Sequence, residues 1–197
     1  MEAERRQVTV LFADMVSFTS FSERSGEEAA FTLIRSLSKL MEEAVREQGG
    51  FVRGFTGDGI MAVFGAPVAF EDAPLRACRA ALNILRQLKV AGPEFEAKHG
   101  LRPQLRIGLN TGAAVVGQVQ EGVDAQVTVL GDTVNLAARL QALADPDSVF
   151  ISETTHRLVQ GMVNTNFAVN RLLKANQSRR TSTVSTRSAV ELPGLMQ

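Results

Sequence analysis

Residues 51–64 read FVRGFTGDGIMAVF, two short apolar runs on either side of Thr56-Gly57-Asp58-Gly59. Apolar runs this short, hinged on a Gly-Asp-Gly turn, predict a β-hairpin. Residues 7–15 (QVTVLFADM) are β-branched and apolar, as in a buried strand. Residues 105–110, 114–119 and 125–130 also read as strands, and 149–152 as a short one.

Helical periodicity fills the gaps between these strands. Ser25-Gly26-Glu27-Glu28 opens a stretch that runs to about Gln48, with Phe31, Ile34, Leu37, Leu40, Met41 and Val45 on one face. Gly49-Gly50 ends it. Residues 71–96 form a long amphipathic helix with a break expected near Gly92-Pro93. Residues 132–143 form another, with Asp132 as its N-cap, and a last helix starts near Glu153. The order β-α-β-β-α-β plus extras is the split βαβ of ferredoxin-like folds, so the expected class is α+β with a mixed, mainly antiparallel sheet. There is no internal repeat.

Bulk properties exclude several functions. The 197 residues suit one domain with a full core. Lys+Arg and Asp+Glu balance at 21 each, which leaves no electrostatic footprint for nucleic acid or an anionic membrane. A ferredoxin-like nucleic-acid binder also needs exposed aromatics on a basic surface, which this chain lacks. No apolar run approaches the roughly 20 residues that span a bilayer. The opening MEAERRQVTV lacks the apolar core of a signal peptide, so a cytoplasmic protein is expected. Cys78, the only cysteine, permits no internal disulfide and reads as a small buried apolar residue. His99 and His156 have no cysteine or second histidine nearby and read as ordinary surface histidines.

Two pairs of residues carry candidate chemistry. Asp14 ends one strand and Asp58 sits in the hairpin turn. Adjacent strand ends bring such carboxylates together, and two facing carboxylates call for a cation between them. Taken alone, each Asp is more often a turn or cap residue. Phe18 and Thr19 follow at a helix start, where free backbone N–H groups suit a triphosphate. Gly57 and Gly59 flank Asp58 and leave room for close backbone approach. Asn135 and Arg139, four apart, share a helix face that can serve a ribose oxygen and a phosphorus centre gaining charge. The same spacing is also that of a solvated face.

Taken together, VTVLFADMVSFT, GFTGDGIMAVFG, LRIGLNTG and VLGDTVNLAARL resemble the class III adenylate and guanylate cyclases in order and spacing, over about residues 6–168. The resemblance is strongest to bacterial forms in which such a domain begins a longer regulatory protein. It implies that Asp14 and Asp58, helped by the Met15 carbonyl, bind two Mg²⁺ or Mn²⁺ ions per site. It implies that Phe18 and Thr19 offer backbone N–H groups to phosphates, and that Gly57 belongs to the nucleotide site. Asn135 would orient the ribose, Arg139 would stabilise transition-state charge, and Thr128 stands where the family reads the purine. The implied reaction is attack of the ribose 3′-hydroxyl on the α-phosphorus of ATP, giving cyclic AMP and pyrophosphate, with GTP as the other candidate. The aspartates and the Asn/Arg pair would meet across a head-to-tail homodimer interface.

The chain departs from the family in three places. ATP-using members usually carry a lysine four residues before the second metal aspartate; Gly54 stands there. Arg53 is adjacent but would face the other side unless a local bulge turned it. Ser17 replaces a common glycine. Residues 169–197 are polar, rich in Ser, Thr and Arg, and without period, so they read as a divergent tail lacking regular structure after a catalytic domain at 1–168. Lys174 lies at about the distance of the family's phosphate-binding lysine. These departures keep a second reading open: a catalytically impaired cyclase-homology domain acting as a nucleotide-binding or regulatory module.

The tail also fits translation from a shifted reading frame. When the last base of each codon from Ala168 is joined to the first two of the next, synonymous codons exist that spell GEQAIKGKSEPQNVYRLDAVR, a string like the family's usual ending. That ending carries the last strand and the phosphate lysine. The nucleotide sequence of the gene is expected to encode that string in the shifted frame; codons incompatible with it dispose of the idea.

Overall fold

The computed structural model describes residues 3–118, 127–168 and 187–191. The elements run β1 (Glu4–Met15), α1 (Phe18–Ser25), α2 (Glu27–Glu47), β2 (Phe51–Phe55), β3 (Ile60–Phe64), α3 (Ala73–His99), β4 (Leu105–Gln118), β5 (Val127–Leu130), α4 (Asp132–Leu143), β6 (Ser148–Ile151), α5 (Glu153–Val159), β7 (Asn164–Ala168) and β8 (Arg187–Glu191). The sheet order is β2-β3-β1-β4-β6-β8-β7, with β5 paired to β4. Only the β4–β6 pairing is parallel among the described strands. β3 separates β2 from β1, and β1 separates β3 from β4, which is the split βαβ arrangement of the expected α+β class.

Alternation along β1 divides the core in two. Leu11, Ala13 and Met15 join Leu105, Ile107 and Leu109 beneath α2 and α3. Val8 and Val10 face the other way and pack with Val116, Val129 and Ala137 of α4. Leu33, Leu37 and Met41 from α2 and Ile84 from α3 are fully buried. Each such side chain contributes about 1.5–3 kcal/mol of transfer free energy. Cys78 is buried as expected, and burial pushes its thiol up to about 12.

Several local expectations need correction. The buried face of α2 is set by Ala30, Leu33, Leu37, Met41 and Val45, and Phe31 points outward at 68% exposure. Leu33 stands about 200° around the helix from Phe31, so only one of them can face the sheet. α3 runs unbroken through Gly92 and Pro93. The proline removes one intrahelical donor, and burial of Leu88 before it and Phe95 after it holds both sides. Asp132 is the first residue of α4, next to the cap Gly131, where its carboxylate suits the helix N-terminus. His156 is buried on α5. Nearby, a run of buried hydroxyls links β1, β4 and α5: Thr9 to Thr111 at 2.9 Å, Thr111 to Thr155 at 2.9 Å and Thr155 to Ser152 at 3.0 Å.

Residues 105–118 form one strand where two were expected. Thr111-Gly112 reads as punctuation, yet its glycine serves packing. A Cβ on Gly112 would lie 2.7 Å from Thr133 Oγ1, and one on Gly108 would lie 2.2 Å from Gln141 N and 2.5 Å from Ala137 O. α4 therefore lies directly on the backbone of β4. Asn110 Nδ2 donates to Thr133 O at 3.0 Å, and Thr133 Oγ1 donates to Ala113 O at 2.8 Å.

The tail is also not wholly irregular. Arg187–Glu191 forms β8, antiparallel to β6 and β7, within the segment read as unstructured. A strand edge offers unpaired N–H and C=O groups to any extended backbone, so pairing there does not require an apolar sequence.

Because α4 presses on Gly108, Gly108→Ala is expected to destabilise the chain by about 3 kcal/mol through overpacking. A urea midpoint within a few tenths of a molar of the parent's would contradict that seating.

Candidate active site

The sheet register brings the two carboxylates together. Ala13 pairs with Ile60, so the end of β1 abuts the hairpin turn between β2 and β3. Thr56 N–H donates to Gly59 O at 2.9 Å and closes the turn, and Gly57 takes φ +81° inside it. A Cβ on Gly59 would lie 2.2 Å from Ala13 O and 3.0 Å from Asp14 Oδ1. Only glycine lets the turn come this close.

Asp14 is half-buried against Asp58. Burial, then the charge and hydrogen bonding of Asp58, push the Asp14 carboxyl up from 3.8 to about 6. Arg106 and Gln141 oppose the shift. Arg106 faces Asp14 directly across the β1–β4 ladder, and its Nη2 stands 3.9 Å from Asp14 Oδ2. Sequence reasoning passed over both residues. A charged residue inside the apolar run LRIGL was a usable signal for Arg106. Gln141 gave none, since a polar residue on an amphipathic helix is unremarked.

Around this pair, β1 ends at Met15, whose side chain is buried at 2% exposure, and Val16 N–H donates to Gln104 O at 2.8 Å. Ser17, at φ 60°, turns the chain into α1 without a side-chain cap. The N–H groups of Phe18 and Thr19, in the first turn, have no intrahelical acceptor.

Asn135 and Arg139 project from the exposed face of α4. Neither makes a hydrogen bond or ion pair among the described residues, and nothing joins them to Asp14 or Asp58 of the same chain. Thr128 is half-buried on β5, opposite Gly117 of β4. Arg106, the neighbour of Asp14, and Gly117 stand near opposite ends of β4. At a strand rise of about 3.3 Å per residue, that separation is about 35 Å. Lys174 lies outside the described residues. At β2 the register passes from Val52–Ala62 to Gly54–Met61, a bulge at Arg53. A bulged residue escapes strict alternation, so Arg53 is not bound to the face opposite Gly54.

The donor set fits a hard divalent cation. Two carboxylates offer oxygen atoms, and their mutual repulsion is what a cation would relieve. Among the described residues, no group of three or more His, Cys, Asp or Glu gathers, so further ligands would be water or substrate oxygens. Arg106 Nε is buried without a hydrogen-bond partner beside this carboxylate pair.

Comparison with known proteins points to one family. A family model described as the adenylate and guanylate cyclase catalytic domain matches residues 1–186. Adenylate cyclase 1 of Rhizobium meliloti (strain 1021) is 35% identical over 141 residues, covering 72% of this chain and 21% of the relative. The chain thus spans about a fifth of that relative's length. The crystal structure of the guanylyl cyclase Cya2 superposes with a TM-score of 0.86 at 27% identity, covering 96% of this chain and 94% of that one. The catalytic core of a rhodopsin-guanylyl cyclase with converted specificity, in complex with ATPalphaS, superposes at 0.82 with 25% identity, covering 97% and 98%. No helix among the described residues is long and apolar enough to cross a membrane.

A carboxyl raised on folding binds its proton more tightly in the folded chain. Asp14 therefore makes the folded state lose stability as pH rises from 3.8 to about 6, with the full cost present above that range. With chelator present, Asp14→Asn is expected to gain about 1–2 kcal/mol on the parent across this window, allowing for solvent screening. Urea unfolding at pH 4 and pH 7 measures the gain; a parent–variant difference that does not change with pH contradicts it.

Proposed function

The chain belongs to the adenylate and guanylate cyclase catalytic-domain family, and from that premise we propose that it converts ATP to cyclic AMP and pyrophosphate at sites shared between two copies. The observation that carries this reading is the separation along β4. Asp14 lies beside Arg106 and Thr128 beside Gly117, about 35 Å apart in one chain at the usual strand rise. One nucleotide cannot bridge them within a chain. A head-to-tail pairing brings the hairpin end of one copy to the β5–α4 end of the other. Exposed apolar side chains at those ends are consistent with cover by a second copy: Phe55 at 54%, Leu130 at 60% and Leu143 at 46%.

Asp14, Asp58 and the Met15 carbonyl would hold Mg²⁺ or Mn²⁺, two per site, which offset the triphosphate charge and lower the pKa of the ribose 3′-hydroxyl. The backbone N–H groups of Phe18 and Thr19 take phosphate oxygens. The unused donors of Arg106 add a cationic wall next to Asp14. From the second copy, Asn135 fixes the ribose so that the 3′-oxygen lines up with the α-phosphorus. Arg139 offsets the charge that builds on the α-phosphate oxygens as the new bond forms and pyrophosphate leaves. Thr128 meets the base with a hydroxyl that can donate or accept.

The bulge at Arg53 favours GTP as the second reading. A guanidinium only donates, and guanine presents two adjacent acceptors, N7 and O6, where adenine presents one acceptor and one donor.

Purified protein with Mn²⁺ is expected to form cyclic AMP from ATP, assayed beside GTP. Asp58→Ala should lower turnover by about 100-fold or more. Mixing Asp58→Ala chains with Arg139→Ala chains should restore one intact site per heterodimer, about a quarter of parental activity for random pairing. A silent mixture beside an active parent would remove support for the shared site, and a silent parent would favour the impaired-domain reading.

A further inference from the structure

The cyclase reading leaves one lined space without a use. α2 and α3 pack against each other, and a cleft of about 180 Å³ opens between them toward the C-terminal end of α3. Leu40 of α2 and Ala91 and Phe95 of α3 form its apolar wall, and all three belong to the main core. Ser36, Glu94 and Lys98 stand around them. None of these residues belongs to the aspartate pair, to the turn at Phe18 and Thr19, or to the face of Asn135 and Arg139.

His99, the last residue of α3, also lines the cleft. Its ring lies 6.0 Å from that of Phe95, tilted by 31°. Its Nε2 is buried and has no hydrogen-bond partner among the described residues. A buried ring nitrogen left without a partner is uncommon and calls for one. Rotation about the χ2 of histidine is soft, so a small turn of the ring presents Nε2 to the cleft.

The walls decide what that partner is. A buried water needs about two to four polar partners. Ser36 Oγ already donates its hydrogen to Thr32 O at 3.1 Å, and Leu40, Ala91 and Phe95 offer only hydrocarbon. An organic hydroxyl instead brings an apolar body that covers those three side chains. A cavity of about 150 Å³ holds benzene, so 180 Å³ takes one aromatic ring with a small substituent. Phe95 gives that ring an aromatic neighbour. Burial, then the charge of Lys98, hold His99 below its ordinary value, so the imidazole is mostly neutral at pH 7. A neutral imidazole nitrogen donates in one tautomer and accepts in the other, and a hydroxyl answers either. Glu94 and Lys98 are exposed and opposite in charge, which favours a ligand with no net charge.

We propose that the cleft between α2 and α3 binds a small uncharged phenol, its ring against Leu40 and Phe95 and its hydroxyl hydrogen-bonded to His99 Nε2. This site is separate from the nucleotide and does not depend on the shared-site reading. It stands one short connection, residues 100–104, from the aspartate end of the sheet, where Gln104 O accepts from Val16 N–H at 2.8 Å.

Fluorine NMR of the full chain, titrated with 4-fluorophenol and separately with fluorobenzene, tests it. The parent is expected to bind 4-fluorophenol saturably, with a Kd of about 1 mM. His99→Phe keeps a ring at this position and removes Nε2. It should cut the preference for 4-fluorophenol over fluorobenzene by about fivefold, the worth of one hydrogen bond. A general loosening of the cleft would weaken both probes and leave their ratio alone, so a ratio equal in parent and variant overturns the proposal. Ala91→Leu, which fills the cleft, should weaken both probes by about tenfold or more; unchanged binding would place them elsewhere and overturn it. So would an absence of saturable 4-fluorophenol binding to the parent, or its displacement by ATP with Mn²⁺, which would put the probe in the nucleotide site.

Discussion

The direct seating of α4 on the backbone of β4 is the constraint on which the candidate site depends. Gly108 and Gly112 remove the side chains that would hold the helix off, and Asn110 and Thr133 lock it with two hydrogen bonds. With a larger residue at either position, α4 would ride higher by the width of a methyl group or more. Asn135 and Arg139 would then present at a different height. The paired strands β1 and β4 thus position the acidic groups by register and the helix-borne groups by contact.

The site stores unfavourable electrostatics. Asp14 and Asp58 are forced together by a hairpin turn that only glycine can bring so close, and the folded chain carries that repulsion at neutral pH. Such an arrangement is poor for stability and well suited to a ligand of opposite charge, because binding removes a cost already present. Arg106 relieves part of it and keeps a donor in reserve.

Period-2 and period-3.6 patterns made the central architecture legible. The hairpin at residues 51–64, the strand ending at Asp14 and the helix bearing Asn135 and Arg139 all stand where periodicity puts them. Errors arose where a residue's local meaning was overruled by packing. Gly112 reads as a break, and it is a contact surface for Thr133. Phe31 reads as core, and Leu33 takes that place because the helix can turn only one of them to the sheet. His156 reads as exposed, and α5 turns it inward. The closeness of Gln141 to Gly108 was invisible because the two are far apart in sequence and adjacent only after folding.

Cys78 has a practical corollary for studying the molecule. Its thiol is fully enclosed and held near 12, so at neutral pH it is almost entirely un-ionised and closed to alkylating reagents. As the chain has no other cysteine, one introduced on the surface would be the sole group open to maleimide chemistry. Spin labels or fluorophores can therefore be attached at chosen points, and the spacing between two copies read out, without first stripping a native thiol from the core.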